Sequence, residues 1–135
     1  MIVGLGNDIV YISRIEELIK KFGDRFIDRS YTKSEKEAAQ KFGTNNNRGK
    51  YAFFAKRFAA KEACAKALGT GFRNGLRFTH IEVTNDKLGK PYLILTSKAL
   101  ELSQSMVSEG KKPVIHLTMA DDYPLAQATV IISEE

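Results

Sequence analysis

The chain has 135 residues, the length of one domain with one hydrophobic core. Hydrophobic residues make up 43% and charged residues 27%, and no stretch approaches the roughly 20 apolar residues that a membrane-spanning helix needs. Residues 1–10 carry no basic segment and include Asp8, which argues against a signal peptide. Cys64 is the only cysteine, which excludes an internal disulfide and a cysteine-based zinc site, so we expect a cytoplasmic protein.

The positive charge of the chain is concentrated in its first half. The net charge is +5, and residues 1–67 hold 14 Lys and Arg against 8 Asp and Glu, whereas residues 68–135 hold 7 against 8. Such a basic half favours an acidic partner. Charge alone does not distinguish among four possible partners: nucleic acid, an anionic membrane, a phosphorylated cofactor and an acidic protein.

The chain begins with a predicted strand and helix. Residues 2–9 are apolar and indicate a strand. Ser13 and Glu16 match the capping-box pattern, which predicts a helix that starts at Ser13. Apolar residues follow at helical spacing, and Gly23 is a plausible end of this helix.

Two further helices are predicted before residue 70. Thr32 and Glu35 form a second capping-box pattern, which predicts a helix that reaches about residue 42. Residues 43–49 are rich in Gly and Asn and predict a mobile loop. Residues 51–68 are rich in alanine and predict a long helix that ends at Gly69.

The second half has mostly the period of strands. We predict strands at residues 80–84, 92–95, 114–119 and 126–132, and one helix at residues 96–109. The last two strands flank a predicted turn at residues 120–124 and therefore indicate an antiparallel hairpin. Helices lie mostly early and strands mostly late, which predicts a single α+β domain over residues 1–135.

The densest group of charged side chains lies on the predicted long helix. Phe58, Glu62 and Lys66 recur every four residues and share one face, while Arg57 and Lys61 form another pair on a neighbouring face. One carboxylate is therefore flanked by cations on a helix of otherwise small residues. The simpler alternative is a surface ion pair, worth about 0.2–0.5 kcal/mol.

Asp8 is unusual because it interrupts an apolar strand. A buried carboxylate is costly unless it is paired or binds a metal, although a turn or helix-capping aspartate is an alternative. Asp8 and Glu62 together suit Mg²⁺, which takes one or two protein carboxylates and completes its shell with water and phosphate oxygens. Arg57, Lys61 and Lys66 suit a polyphosphate. The sequence does not itself place Asp8 near Glu62.

Gly69-Thr70-Gly71 follows the long helix directly. Its glycines allow backbone N–H groups to approach a phosphate or an adenine, although a helix stop is the simpler interpretation. His116 lies on a predicted strand, where a lone histidine is usually structural. Cys64 has no evident partner that would mark it as a nucleophile.

Three segments together resemble the holo-acyl-carrier-protein synthase family, the small trimeric 4′-phosphopantetheinyl transferases. They are residues 4–15 (GLGNDIVYISRI), residues 57–71 (RFAAKEACAKALGTG), and Gly89-Lys90-Pro91 with the late strand from His116. Their order and spacing match over nearly the whole chain, and the middle segment is the most specific. The resemblance implies the α+β fold of this family, an antiparallel sheet with a long central helix.

The resemblance also implies roles for individual residues. Asp8 and Glu62 match the carboxylates that hold Mg²⁺, and Lys66 matches the lysine at the reacting phosphate. The expected contacts with coenzyme A are Arg57, Lys61, Gly69, Thr70, Gly71, Pro91 and His116. Arg14 matches a residue that meets the acidic carrier protein, and Lys20, Lys21 and Arg25 can steer the same encounter. The small members of the family form trimers with each active site between neighbouring subunits.

The implied reaction moves 4′-phosphopantetheine from coenzyme A to a serine of apo-acyl carrier protein, which yields adenosine 3′,5′-bisphosphate and supports fatty acid biosynthesis. We expect Mg²⁺ to neutralise charge on the diphosphate, Lys66 to stabilise the phosphate, and Glu62 to accept the serine proton. Asn7 stands where many relatives have threonine, and Ala120-Asp121-Asp122 replaces a second histidine. Cofactor contacts near residues 120–122 are therefore expected to differ, and the role of residues 45–47 is open.

Two other classes of function compete with this interpretation. The net charge and the pI of 9.3 are typical of nucleic-acid-binding domains, but the sequence has no aromatic RNA-binding motif, zinc-ligand pattern or GXXG loop. The alanine-rich helix could instead serve a non-catalytic oligomerisation module, which has no need of Asp8 or Glu62. We therefore expect no nucleic-acid partner and no membrane partner.

Overall fold

The computed structural model of the protein describes residues 1–45 and 47–135. Within them the elements follow in the order β1 (Ile2–Tyr11), α1 (Ile12–Phe22), α2 (Asp24–Ser30), α3 (Lys33–Ala39), α4 (Arg48–Ala67), β2 (Ile81–Asn85), β3 (Pro91–Leu95), α5 (Ser97–Ser105), β4 (Pro113–Asp122) and β5 (Leu125–Glu134). Single turns of 3-10 helix lie at Gln40–Phe42 and Phe78–His80. This order confirms the predicted α+β class.

The described strands form two antiparallel sheets. One has three strands in the order β1-β5-β4, and the other is the β2-β3 hairpin. In the larger sheet Asp8 lies opposite Ala128, which lies opposite Met119. The predicted β4-β5 hairpin is confirmed, but its strands extend to Asp122 and from Leu125, so the turn is shorter than the predicted residues 120–124.

Helix α4 packs across one face of the three-stranded sheet. Its alanines at positions 59, 60 and 63 are fully buried, as are Ala128 and Val130 on β5. Small side chains on the helix permit a close approach, and Gly6 on β1 permits it from the other side. A Cβ built on Gly6 would overlap the carbonyl oxygen of Ala63 and lie 2.7 Å from the amide nitrogen of Ala67. The alanine-rich composition of α4 therefore serves its contact with β1.

The first predicted capping box is wrong and the second is confirmed. Helix α1 starts at Ile12, directly after β1, and has no side-chain cap. Ile12 and Ile15 are buried in the core, so the helix begins one residue before Ser13 with no turn between strand and helix. The amide of Ile12 donates instead to the carbonyl oxygen of Pro124 at 2.9 Å. At α3, Thr32 and Glu35 cap each other reciprocally, as the sequence predicts.

Several helix boundaries differ from the predicted ones. Helix α4 begins at Arg48, because the side chain of Asn47 caps it by accepting from the amide of Lys50 at 2.7 Å. Asn46, in the loop predicted to be mobile, lies outside the described residues. Helix α5 ends at Ser105 rather than near residue 109. The short helix α2 had no clear periodic signal. Across the described part of the chain, no helix is sufficiently long and apolar to span a membrane.

Candidate active site

Asp8 and Lys66 meet where β1 crosses the last turn of α4. The ammonium group of Lys66 donates to Asp8 Oδ1 at 3.1 Å and to the carbonyl oxygen of Asn7 at 2.8 Å. The Asp8 side chain is only 18% exposed, whereas that of Lys66 is 54% exposed. The carboxylate is thus held at the base of the site, and the lysine can extend from its rim.

Glu62 lies one helical turn before Lys66 and is half-buried. Burial raises the pKa of its carboxyl group, and the negative charge of Asp8 raises it further, while Lys66 and Arg14 act in the opposite direction. This mutual influence places four charged groups from β1, α1 and α4 in one cluster. The structure therefore joins Asp8 and Glu62, which the sequence alone left apart.

The pair of carboxylates fits a divalent cation of the magnesium type. Burial is the main cause of the raised pKa of Glu62, and the like charge of Asp8 adds to it; a cation between the two carboxylates would relieve both effects. Within residues 1–45 and 47–135 no group of three or more His, Cys, Asp and Glu side chains could hold a metal. A two-carboxylate set suits an ion that takes its remaining ligands from water and phosphate.

The glycine turn after α4 lines a cavity beside Lys66. Gly69 and Gly71 have φ angles of +87° and +62°, which favour glycine. The cavity has a volume of about 480 Å³ and is lined by Lys66, Gly69, Thr70, Gly71, Arg73 and Asn74. Three of the predicted coenzyme A contacts thus adjoin the carboxylate cluster. Arg73 is a further cation that the sequence analysis missed, although it follows the glycine turn by only two residues.

A second cavity, of about 720 Å³, lies beside the first half of α4. Its lining includes Arg57 and Pro91, both predicted to contact coenzyme A. Lys41 and Lys56 also line it; the sequence analysis missed them, although Lys56 adjoins Arg57. Lys56 forms an ion pair with Asp121 at 2.9 Å. Three cations and one carboxylate therefore line the cavity, which gives its lining a net positive charge.

Arg57 is the buried cation of this second cavity. Its guanidinium lies 3.6 Å from the centroid of the Phe53 ring and donates to Asn85 Oδ1 at 3.1 Å. Its Nε has no hydrogen-bond partner among the described residues although it is buried. Burial lowers the pKa of Arg57, while the charge of Glu35 opposes this effect. A buried donor without an acceptor fits a site that receives an anionic ligand.

The structure does not agree with a direct contact between Lys61 and coenzyme A. The Lys61 side chain is fully buried and pairs with Glu35 at 2.7 Å. It also donates to the carbonyl oxygens of Phe78 and Ile81. Burial lowers the pKa of Lys61, and Glu35 opposes this shift. Because all three N–H bonds of the ammonium group are used inside the protein, Lys61 has no donor left for a ligand.

His116 lies on the opposite face of the sheet from Asp8. Facing residues of antiparallel strands point to the same side, and His116 pairs through Ile131 with Leu5, whereas Asp8 pairs with Ala128 on the α4 side. The exposed ring of His116 bonds to Ser133 Oγ at 2.9 Å. Within one subunit, His116 therefore cannot complete the carboxylate cluster.

The residues predicted to meet a carrier protein are distributed around α1. Arg14 reaches towards the active site, since its guanidinium lies 5.9 Å from the Phe58 ring and its charge acts on Glu62. Lys20 is paired with Glu16 at 2.9 Å. Lys21 and Arg25 lie beside the Phe22 ring, at 5.3 Å and 6.0 Å from its centroid. A cavity of about 360 Å³ adjoins them, lined by Leu18, Phe22, Arg25, Phe26 and Arg29.

Comparison with the sequences of known proteins is consistent with this site. Residues 4–128 match the model of the 4′-phosphopantetheinyl transferase superfamily. The chain is 50% identical over 133 residues to a holo-[acyl-carrier-protein] synthase of Parvibaculum lavamentivorans, with 98% of this chain and 96% of that protein covered. It is 48% identical over 132 residues to a holo-[acyl-carrier-protein] synthase of Rhizobium leguminosarum, with 98% and 95% covered.

Solved structures show the same fold. The holo-[acyl-carrier-protein] synthase of Neisseria meningitidis is 38% identical with a TM-score of 0.81, over 98% of this chain and 99% of that one. The Bacillus anthracis synthase, solved in complex with CoA (3′,5′-ADP), is 35% identical with a TM-score of 0.77, over 98% and 96% of the chains. Both confirm the predicted fold. The chain therefore belongs to the 4′-phosphopantetheinyl transferase superfamily and, within it, to the holo-[acyl-carrier-protein] synthase family.

Proposed function

We propose that this protein transfers 4′-phosphopantetheine from coenzyme A to a serine of apo-acyl carrier protein in the cytoplasm, with Mg²⁺, in support of fatty acid biosynthesis. The observation that carries the proposal is the meeting of Asp8, Glu62 and Lys66 beside the cavity of the Gly69–Gly71 turn. Carboxylates for a metal thus adjoin cations and backbone suited to phosphate. The complex of a family member with CoA (3′,5′-ADP) supports the same substrate.

In the proposed reaction the serine hydroxyl oxygen attacks the β-phosphorus of coenzyme A. The bond from that phosphorus to the bridging oxygen breaks, and adenosine 3′,5′-bisphosphate leaves with this oxygen. Asp8 and Glu62 would hold Mg²⁺, which when bound supplies charge neutralisation at the diphosphate. Lys66 would stabilise the phosphate that is transferred, and Glu62 would accept the serine proton, directly or through a water.

The proposed transfer can be followed by the mass of the carrier protein. Purified protein, apo-acyl carrier protein, coenzyme A and MgCl₂ are expected to give carrier protein with one added phosphopantetheine, and EDTA is expected to abolish the gain. Restoring Mg²⁺ in excess over EDTA should restore transfer. A carrier protein that is modified by a known transferase but gains no mass here would refute the proposed function.

We further propose a homotrimer in which each active site is shared between neighbouring subunits. Arg57 and Glu62 are five residues apart, so they point roughly 140° apart around α4 at 3.6 residues per turn. His116 lies on the far face of the sheet from Asp8. One coenzyme A molecule reaches all of these residues more simply if two subunits contribute them.

The outer face of the three-stranded sheet fits the subunit contact. It exposes Leu5, Ile9 and Tyr11, each by about 60% or more. Sedimentation equilibrium is expected to give three times the chain mass of 15.1 kDa. Replacing Leu5 and Ile9 by Asp should lower the mass towards that of one chain and lower transfer with it. A wild-type protein that is fully active as a monomer would contradict the shared site.

The carrier protein is proposed to dock on the surface formed by Arg14, Lys20, Lys21 and Arg25, next to the cavity between α1 and α2. Reversing two charges, Lys21→Glu with Arg25→Glu, is expected to raise KM for the carrier protein about tenfold, because an acidic partner loses its attraction. Wild-type KM for the carrier protein should also rise with salt, since charges are screened within about 8 Å at physiological ionic strength.

Reversal of the exposed Lys111 and Lys112, which changes the net charge equally, is the matched control. It should leave KM for the carrier protein within about twofold of wild type. Equal effects of the two double variants would show that net charge, and not this surface, steers the encounter.

A further inference from the structure

We propose that Glu35 and Lys61 are positioning residues for the binding of coenzyme A, which act by clamping the β2-β3 hairpin to α4. This inference rests on the proposed function, because it assigns coenzyme A to the cavity beside Arg57. It gives a role to a buried charged pair that the proposed reaction does not use. Neither residue reaches the cavity itself, so their effect must pass through their neighbours.

The pair lies at the centre of a fully buried polar network. Both side chains have no exposed surface, and Lys61 Nζ lies 2.7 Å from Glu35 Oε1. The same carboxylate accepts from the amide of Thr32 at 2.8 Å and from the amide of Val83 at 2.8 Å. Lys61 also donates to the carbonyl oxygens of Phe78 and Ile81. Three backbone groups of the segment 78–83 are therefore held by two side chains.

Stability alone is a weak reason for such a pair. Removing two charges from water is costly, and well-packed apolar residues can replace a buried ion pair with no loss or with a gain. Apolar side chains cannot, however, bind the backbone groups of Phe78, Ile81 and Val83. What the pair supplies is a defined position of this segment along α4 and α3. A further hydrogen bond also holds β2 against α3, because Thr32 Oγ1 donates to Glu82 Oε1 on β2 at 2.6 Å.

The clamped segment leads directly into the cavity beside Arg57. Strand β2 ends at Asn85, which accepts from Arg57 at 3.1 Å and donates to the carbonyl oxygen of Gly89 at 2.9 Å. Asn85, Gly89 and Pro91 line the cavity together with Arg57. Arg57 lies one helical turn before Lys61. Hairpin and helix are thus joined at two successive turns of α4, first by Arg57 and then by Lys61.

The carboxylate cluster does not depend on this clamp. Asp8 lies on β1, and the position of β1 against α4 is determined by the close contact of Gly6 with Ala63. Loosening the hairpin should therefore disturb the binding of coenzyme A at the cavity beside Arg57 and spare the reacting groups. Because the hairpin and the carboxylate cluster are held independently, we expect the loosened hairpin to change KM for coenzyme A rather than kcat.

The test uses the neutral double variant Glu35→Gln with Lys61→Met, which leaves no unpaired buried charge. Its KM for coenzyme A is expected to rise about tenfold, with kcat within about threefold and KM for the carrier protein unchanged. The single variant Glu35→Gln keeps the shape of the side chain but replaces one of its two accepting oxygens by an NH₂ group, and KM should move in the same direction by about threefold or more. The matched control is Glu37→Gln, the same change at an exposed position of α3, which should alter neither constant.

A merely structural role predicts a different result. It would lower the folded fraction, and so the apparent kcat, while KM for coenzyme A stayed at the wild-type value in both variants. That outcome would overturn the inference. Amide hydrogen exchange gives a second readout: the amides of Val83 and Asn85 should exchange faster in the variants, whereas Gly6 and Val130 should not. Equal protection in β2 of wild type and variants would also overturn it. If wild type itself transfers nothing from coenzyme A, the proposed function fails instead.

Discussion

Replacing Glu62 by Gln is expected to lower kcat/KM for phosphopantetheine transfer by on the order of 10²–10³-fold, with the fold unchanged. Gln has nearly the shape of Glu, but it removes one of two carboxylates that would hold the metal and the group that would accept the serine proton. The charge that remains on Asp8 pairs with Lys66. Initial rates of the mass gain in the carrier protein, at several coenzyme A concentrations, measure the loss.

The control for this variant is Glu101→Gln, the same change at an exposed position of α5. It should keep wild-type rates, and both variants should melt within a few degrees of the wild-type protein. Asp8→Asn should resemble Glu62→Gln, because both carboxylates serve one site. A Glu62→Gln enzyme with activity within threefold of wild type would remove Glu62 from the metal and the proton transfer together.

The Gly6→Ala substitution is expected to destabilise the protein by about 3 kcal/mol or more. The added Cβ would overlap the carbonyl oxygen of Ala63 and lie 2.7 Å from the amide nitrogen of Ala67. These are backbone atoms within a 20-residue helix, so they cannot move aside as a side chain could. β1 and α4 must separate, which also parts Asp8 from Lys66. Urea unfolding at constant slope measures the loss in free energy of unfolding.

The matched control is Gly49→Ala in the first turn of the same helix. There a Cβ would lie 3.1 Å from the Phe42 ring, a side chain that can adjust. Alanine also favours the helix by about 1 kcal/mol over glycine. The change in unfolding free energy should therefore stay within about 1 kcal/mol. If Gly6→Ala behaved like this control, the close approach of β1 to α4 would be wrong.

Local sequence signals predicted the elements that depend on neighbouring residues. The Thr32–Glu35 capping box formed as predicted because its two hydrogen bonds join residues three positions apart. The alternating residues at 114–119 and 126–132 formed the hairpin, since facing apolar side chains select its register. The Ser13–Glu16 pattern failed because Ile12 enters the core at the end of β1, and its amide found an acceptor at Pro124.

Part of the candidate site could also be predicted from the sequence. The four-residue spacing of Glu62 and Lys66 predicted that both lie on one face of a helix. Gly69, the predicted end of this helix, follows it with a φ of +87°. The resemblance of residues 57–71 to a known family then assigned chemistry to this face. Lys41, Lys56, Arg73 and Asn74 were missed, because the sequence does not show which side chains line a cavity.

The sequence by itself determined the local elements, the α+β class and the face shared by Glu62 and Lys66, because helix period and capping act over a few residues. Only the tertiary structure decided that Asp8 meets Lys66 across 58 positions, that Lys61 is buried on Glu35, and that His116 lies on the far face of the sheet. The physical reason is that β1, α3 and β4 take their places through long-range packing, whose contacts no local pattern specifies.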